Sequence, residues 1–137
     1  MGFFAIGEKH HPALLSLIAP SPSAEARILD PFAGEGDFLL TASQHWNVTP
    51  YANELDKSRA QLCIDKFGSD RAVQGDVERL SASLEAFSVG WYNPPYDTDK
   101  NADTSETKEA KRIEYRYLRH AWKWIQQGGI VMWVVYR

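Results

Sequence analysis

Residues 27–40 read RILDPFAGEGDFLL, and this stretch decides the fold. A short apolar segment ends at an acid, a loop of small residues follows, and an apolar helical segment begins. Gly34 and Gly36 allow a tight turn and a close approach of the backbone to a ligand at the start of that helix. The loop matches neither glycine-rich phosphate-binding pattern, and the acids Asp30 and Glu35 would repel a phosphate. A ligand with a cationic amine fits better, although an isolated G-x-G is more often a simple turn.

Strand-like and helix-like segments alternate along the rest of the chain. We predict strands at Arg27–Asp30, Thr49–Asn53, Arg71–Gln74, Ser88–Tyr92 and Ile130–Tyr136. We predict helices at Pro12–Leu17, Gly36–His45, Lys57–Phe67 and Ile113–Gln126, and a turn or short helix at Val77–Ala82. This alternation indicates an α/β fold with an open, mostly parallel sheet of about five strands and flanking helices. Ligands bind such sheets beyond the carboxyl ends of the strands.

Acidic residues also follow the second and third predicted strands. Glu54 lies 24 residues after Asp30, and in nucleoside-binding βαβ units an acid at about this spacing holds the ribose hydroxyls. Asp76 follows the third apolar run. Each of these acids has an alternative role, because Glu54 or Asp56 could cap the next helix and Asp76 could be another cap. Singly the cap is favoured, but several such features in order favour one binding site at one edge of the sheet.

Residues 93–96 read Asn-Pro-Pro-Tyr directly after the fourth strand. The two prolines forbid helix and hold the backbone carbonyls in a fixed turn. Asn93 adds a side-chain oxygen acceptor beside the Pro94 carbonyl, and Tyr96 adds a flat aromatic face. Two acceptors beside a stacking surface suit a planar group that carries an exocyclic NH2. The alternative is an ordinary strand-ending turn.

The chain resembles the class I S-adenosylmethionine-dependent methyltransferases, specifically the N6-adenine DNA type. The resemblance covers essentially the whole chain and is carried by Asp30-Pro-Phe-Ala-Gly-Glu-Gly36, Glu54-Leu55, Gly75-Asp76-Val77 and Asn93-Pro-Pro-Tyr96. The cofactor motifs precede Asn-Pro-Pro-Tyr, which is similar to the gamma order of that family. The resemblance implies a Rossmann-like sheet and a Gly2–Pro20 segment that lines the cofactor pocket. Ile6-Gly7 departs from the Thr-Pro that the family usually carries near that point.

The resemblance also implies a role for each motif residue. The cofactor-binding set is Asp30, Phe32, Ala33, Gly34, Glu35, Gly36, Glu54, Leu55, Asp76 and Val77. Asp30 and the 33–36 loop would face the methionine part of S-adenosylmethionine, and Glu54 would hold the ribose. Leu55 and Val77 would enclose the adenine ring, whose amino group Asp76 would accept. The catalytic set is Asn93, Pro94, Pro95 and Tyr96, with Tyr96 stacked on a flipped target base and S-adenosylhomocysteine as the product.

Other functions stay open on the sequence. The acceptor could be an RNA base or a glutamine side chain of a protein, because those families share Asn-Pro-Pro-Tyr or close variants. The chain could also be a non-catalytic, cofactor-binding subunit or remnant. A nucleotide-dependent dehydrogenase is disfavoured by the missing third glycine of its loop.

Composition limits the class of protein. A chain of 137 residues predicts a single catalytic domain, 1–137, that could be an N-terminal fragment of a longer protein. It has no segment apolar enough to span a bilayer and no basic-then-apolar leader, so we expect a cytoplasmic protein. Cys63 is expected in the core of a helix, and His10 and His11 on the surface. No Cys/His spacing predicts a metal site.

Charge and the last strand bear on partners. A net charge of −3 argues against DNA binding by the whole surface. A local basic cluster could still contact nucleic acid, or be an ordinary solvated helix face; it comprises Lys108, Lys111, Arg112, Arg116 and Arg119. We predict a mobile loop at 97–112.

The apolar run Ile130–Tyr136 predicts a strand covered on both faces, which favours a missing C-terminal recognition domain, a partner, or a homodimer formed through this strand.

Overall fold

A computed structural model of the chain describes residues 5–19, 25–95 and 113–135. Its centre is one five-stranded sheet in which every pairing is parallel. The strands are β1 (Arg27–Asp30), β2 (Thr49–Glu54), β3 (Ala72–Gln74), β4 (Phe87–Tyr92) and β5 (Ile125–Trp133). Their order across the sheet is β3-β2-β1-β4-β5. The predicted Rossmann-like α/β architecture with about five strands is therefore confirmed.

The described residues form four α-helices that precede the strands or cross between them: α1 (His11–Leu15), α2 (Asp37–Trp46), α3 (Lys57–Phe67) and α4 (Ile113–Ala121). The first turn of α3 is fixed by Asp56, whose carboxylate accepts hydrogen bonds from the backbone N–H groups of Ser58 and Arg59, each at 3.0 Å. A short side-chain acceptor at this position satisfies donors that have no partner inside the helix. The start of α2 is set by Gly36, whose φ of +81° suits glycine.

The core lies on both faces of the sheet, because neighbouring strand residues point to opposite sides. Ile28 packs with side chains of α1, α2 and α3, including Leu39 and Cys63. Leu29, the next residue, packs on the other face with Tyr117 of α4 and with Trp124. The predicted core position of Cys63 is confirmed, since the side chain is buried. Among the described residues, no helix is both long and apolar enough to cross a membrane.

The predicted C-terminal elements are partly wrong. The helix predicted to run to Gln126 ends at Ala121, a short 3-10 helix covers Trp122–Trp124, and β5 begins at Ile125 instead of Ile130. The pairing of β4 with β5 is irregular near its start: Phe87 lies opposite Ile125, but Val89, two residues on, lies opposite Ile130. The extra residues of β5 between these two pairs form a bulge. Gly128 lies within this irregular section with a φ of +79°. The pair Gly128-Gly129 therefore shapes a bulged strand start and does not follow a helix end.

β5 lies at an edge of the sheet and its residues are partly exposed, Ile130 at 44%. The cover of both its faces by a further domain, a partner or a second copy stays a prediction. One burial prediction is wrong. His11 was expected on the surface, but it is buried between α1 and α2. Its ring meets the Phe38 ring edge-on with the centroids 5.1 Å apart, and its Nε2 lies 3.3 Å from the Ile6 carbonyl oxygen. An imidazole can pack as an aromatic surface and still satisfy its polar atom.

Candidate functional site

The carboxyl ends of β1, β2 and β4 and the residues that follow β3 form two adjoining clefts. One of them, the Glu54 cleft, is an open space of about 620 Å³, lined by Pro31, Phe32, Asn53, Glu54, Leu55, Arg59, Gly75, Asp76, Val77, Asn93, Pro94, Pro95 and Tyr117. The Asp30 cleft is lined by Ala5, Ile6, Gly7, Glu8, Asp30, Phe32, Ala33, Glu35, Gly36, Asp37, Phe38, Trp91 and Asn93. Phe32 and Asn93 belong to both, so the clefts meet at these two residues.

The glycine loop is attached to β2 and α3 by hydrogen bonds. The Ala33 N–H donates to the Asn53 carbonyl at 3.0 Å, and the Gly34 N–H donates to Glu54 Oε2 at 2.8 Å. The Cys63 thiol donates to the Gly34 carbonyl at 3.3 Å. These contacts hold the loop that the sequence singled out in one conformation, between the two clefts.

Glu54 is buried, with 5% of the residue exposed, and its carboxylate is well supplied with donors. Besides the Gly34 N–H, it accepts from the Asp56 N–H at 2.9 Å and from Arg59 Nη2 at 2.7 Å, both at Oε1. Charge-assisted hydrogen bonds of this kind offset the loss of water around a buried carboxylate. Of the two acids that could have capped the next helix, Asp56 caps α3, and Glu54 lines the Glu54 cleft.

The two residues predicted to enclose an adenine ring, Leu55 and Val77, both line the Glu54 cleft. Leu55 is 56% exposed and Val77 is buried. Asp76 lines it too, while its carboxylate accepts the Glu78 N–H at 3.0 Å and caps the short 3-10 helix Val77–Arg79. The capping and cleft-lining interpretations of Asp76 therefore both hold.

Asp30 is almost fully buried, and its Oδ1 accepts the Phe32 N–H at 3.0 Å. Burial raises the pKa of its carboxyl to about 8, and the nearby Glu54 charge acts in the same direction. Three more carboxylates, those of Glu8, Glu35 and Asp37, belong to the lining of the Asp30 cleft. Among the described residues that line it there is no lysine or arginine, although Asp37 pairs with Lys66 behind the loop. An excess of acids favours a cationic ligand here.

Asn93 stands where the two clefts meet, and Pro94 and Pro95 continue along the Glu54 cleft. The Pro94 side chain is fully buried, which fixes the turn. Tyr96, which was predicted to stack on the target base, lies outside the described residues, as do the predicted loop at 97–112 and the cations Lys108, Lys111 and Arg112. Residues 5–8 of the N-terminal segment line the Asp30 cleft.

In the Glu54 cleft, the structure adds three wall residues that the sequence did not single out: Asn53, Arg59 and Tyr117. Tyr117 comes from α4, and its ring centroid is 5.2 Å from that of Phe32. Burial raises the pKa of the Tyr117 hydroxyl, and the Glu78 and Asp76 carboxylates raise it further. Asn53 had one available signal, its position directly before Glu54 at the end of β2.

The two basic side chains of the predicted nucleic-acid cluster that the structure describes are Arg116 and Arg119, both on α4. Arg116 Nε lies 2.7 Å from Glu78 Oε1, so this guanidinium links α4 to the turn that follows Asp76. Arg119 is exposed. Among the described residues, no group of three or more His, Cys, Asp or Glu side chains is placed to hold a metal ion.

Comparisons with known proteins identify the fold. No protein-family model matches the chain. The ubiquinone/menaquinone biosynthesis C-methyltransferase UbiE of Methylobacterium nodulans is 26% identical over 117 residues, which are 85% of this chain and 44% of that protein. The methyltransferase subunit of a type I restriction-modification system from Streptococcus thermophilus has a TM-score of 0.71 at 15% identity, over 93% of this chain and 33% of that one.

A Geobacter sulfurreducens S-adenosylmethionine-dependent methyltransferase, solved in complex with S-adenosylhomocysteine, has a TM-score of 0.60 at 15% identity, over 92% of this chain and 47% of that one. The chain spans less than half the length of each of these three proteins. The likenesses show that it has the Rossmann-like fold of the S-adenosylmethionine-dependent methyltransferases.

Proposed function

We propose that this chain binds S-adenosylmethionine across the two clefts and transfers the methyl group to an exocyclic amino group, most directly N6 of adenine in DNA. The observation that carries the proposal is the position of Asn93, between the acidic Asp30 cleft and the cleft that contains the buried carboxylate of Glu54. S-adenosylmethionine has the matching two ends, a cationic methionine part and a neutral adenosine part.

The residues present fit this cofactor. Glu8, Glu35 and Asp37 would attract the cationic end, and Asp30 would face it, since a nearby cation favours the ionised form of its carboxyl. Glu54 would hold the ribose, and Leu55 and Val77 would enclose the adenine. When bound, S-adenosylmethionine supplies an electrophilic methyl carbon. The protein then has to hold a nucleophile in line with that carbon and exclude water.

The amino group of adenine is a weak nucleophile because its lone pair is delocalised into the ring. Acceptance of its two N–H groups by the Asn93 side-chain oxygen and the Pro94 carbonyl would favour a tetrahedral nitrogen with a localised lone pair. Tyr96 would stack on the base after it leaves the duplex. Methyl transfer would leave the nitrogen with a positive charge, and its extra proton would pass to water after the transfer.

Two of the similar proteins and the net charge bear on the kind of acceptor. The Streptococcus thermophilus neighbour is a subunit of a restriction-modification system, which favours DNA and a partner that reads the target sequence. The net charge of −3 also favours recognition by a further domain or partner. UbiE, in contrast, is a C-methyltransferase, so the acceptor atom has to be tested directly.

Two measurements on the purified chain test the proposal. Calorimetric titration with S-adenosylmethionine and S-adenosylhomocysteine should show saturable binding at one site per chain. Transfer of a tritiated methyl group should then be assayed on DNA, RNA and protein in parallel. Label in N6-methyladenine of DNA supports the proposal, label in RNA or in glutamine moves it to the alternative acceptors, and absence of binding by the folded chain refutes it.

Replacement of Asn93 separates catalysis from binding. Asn93→Ala should keep cofactor affinity within about threefold while lowering the transfer rate about a hundredfold, the size of effect seen when one polar group acting on the transition state is removed. Gln127→Ala, an exposed change on β5, is the matched control. Full activity of Asn93→Ala would contradict the role of the acceptor pair.

A further inference from the structure

We propose that Arg59 shares the recognition of the ribose with Glu54, so that one hydroxyl donates to Glu54 and the other accepts from Arg59. This inference rests on the proposed function, because it assigns a further specificity-determining residue to the same Glu54 cleft.

The first step is a count of acceptor sites on Glu54. An ionised carboxylate offers about four lone-pair positions, two on each oxygen. Oε1 already accepts from the Asp56 N–H at 2.9 Å and from Arg59 Nη2 at 2.7 Å, and Oε2 accepts from the Gly34 N–H at 2.8 Å. One position is left, on Oε2. With these bonds in place, Glu54 can accept one ribose hydroxyl and not two.

The second step is that the backbone partners of Glu54 cannot easily be given up. The Gly34 N–H belongs to the loop between the clefts, and the Asp56 N–H lies at the capped start of α3. Loss of either bond would leave a buried polar group unsatisfied. Arg59 is therefore the partner of Glu54 that a ligand can most easily engage.

The third step is the position and chemistry of Arg59. Its backbone N–H is bound by the Asp56 cap at 3.0 Å, which fixes the residue in the first turn of α3. Its side chain lines the Glu54 cleft and is 29% exposed there. A guanidinium carries five N–H donors and can keep one on Glu54 while donating another to a ligand. A ribose hydroxyl can donate or accept, so the pair can serve both hydroxyls.

The arrangement predicts an asymmetry between the two ribose positions. The hydroxyl that binds Glu54 must donate a proton. The hydroxyl that binds Arg59 needs only to accept one. Fluorine in place of a hydroxyl keeps the size and some acceptor character but cannot donate, so it should be tolerated at the Arg59 position alone.

Calorimetric binding of S-adenosylhomocysteine and of its 2′-deoxy-2′-fluoro and 3′-deoxy-3′-fluoro analogues tests this. In the unmodified chain, we expect one analogue to bind within about threefold of the parent and the other to lose about tenfold, the loss typical of one hydrogen bond to a charged group. In Arg59→Met, the parent and the tolerated analogue should both lose about tenfold, because hydroxyl and fluorine lose the same donor. The deoxy analogue that has hydrogen at the tolerated position should bind the unmodified chain about tenfold more weakly than the parent and should bind Arg59→Met as tightly as the parent does. Arg59→Lys keeps a cationic donor and should preserve more of the affinity for the parent.

Equal losses for both analogues in the unmodified chain would overturn the inference. It would also be overturned if the deoxy analogue with hydrogen at the tolerated position still bound Arg59→Met about tenfold more weakly than the parent, because a purely structural role in holding Glu54 leaves that difference unchanged. Thermal unfolding of each variant checks that it is folded. If S-adenosylhomocysteine itself does not bind the folded unmodified chain, the proposed function fails and this inference with it.

Discussion

Replacement of Gly36 by alanine tests how closely the glycine loop is packed against α3. A Cβ at Gly36 would lie 2.9 Å from Phe67 Cε2 and 3.2 Å from Cys63 Sγ. Both are buried side chains of α3, so neither can move freely away. Gly36 also has a φ of +81°, a conformation that an alanine adopts with strain.

Gly128 provides the matched control. It has nearly the same φ, +79°, but nothing lies within 4 Å of the position of its Cβ. Gly128→Ala should therefore cost only the left-handed conformation, about 1 kcal/mol of unfolding free energy. Gly36→Ala should add the cost of overpacking, about 1–3 kcal/mol, for a total of about 2–4 kcal/mol.

Urea unfolding followed by tryptophan fluorescence measures both changes, since Trp46, Trp91 and Trp124 are buried in the core. The difference between the two variants isolates the contact with Phe67 and Cys63 from the backbone strain. If both variants lost the same free energy of unfolding within about 0.5 kcal/mol, the limit of such comparisons, the close approach of loop and helix would be refuted.

Asp30→Asn should flatten the pH dependence of stability. Between about pH 4 and pH 8 the Asp30 carboxyl is protonated in the folded chain and ionised in the unfolded chain, so it lowers the unfolding free energy as pH rises. Urea midpoints measured across that range would show the same slope against pH in both proteins if the pKa of Asp30 were the same in the folded and the unfolded chain. Asp76→Ala should weaken S-adenosylhomocysteine binding about tenfold by calorimetry, and an unchanged affinity would leave Asp76 as a cap alone. Tyr117→Ala should weaken the same binding by opening one wall of the Glu54 cleft, whereas Tyr117→Phe, which keeps the ring, should not. Equal losses in the two variants would show that the hydroxyl and not the ring contributes to binding.

The strand ends were predictable because their signals are local. Asp30 and Glu54 each end an apolar run, and the rule that parallel strands present their carboxyl ends at one edge brings them together without any knowledge of packing. The first strand and α3 were predicted to the residue, since the Asp56 cap and Gly68 delimit α3 within the sequence itself.

Residues that depend on packing between distant elements were not predictable. Tyr117 lies on a helix 24 residues beyond Asn93, and nothing near it in the sequence indicates that it reaches Phe32. Arg59 has the sequence environment of a solvated helix residue, and its turn back to Glu54 follows from the geometry of the cap. His11 was misplaced because the ring that buries it, Phe38, belongs to another helix.

The hydrogen bond between the Gly34 N–H and Glu54 has a practical consequence for spectroscopy. Gly34 is absent from the lining of both clefts, yet its amide proton is bound to the carboxylate oxygen that would receive a ribose hydroxyl. Its chemical shift and its exchange rate with solvent would therefore respond to occupancy of the nucleoside position without direct contact with the ligand. A single glycine resonance, in a chain with nine glycines, would give an NMR titration of the site that needs no label on the ligand.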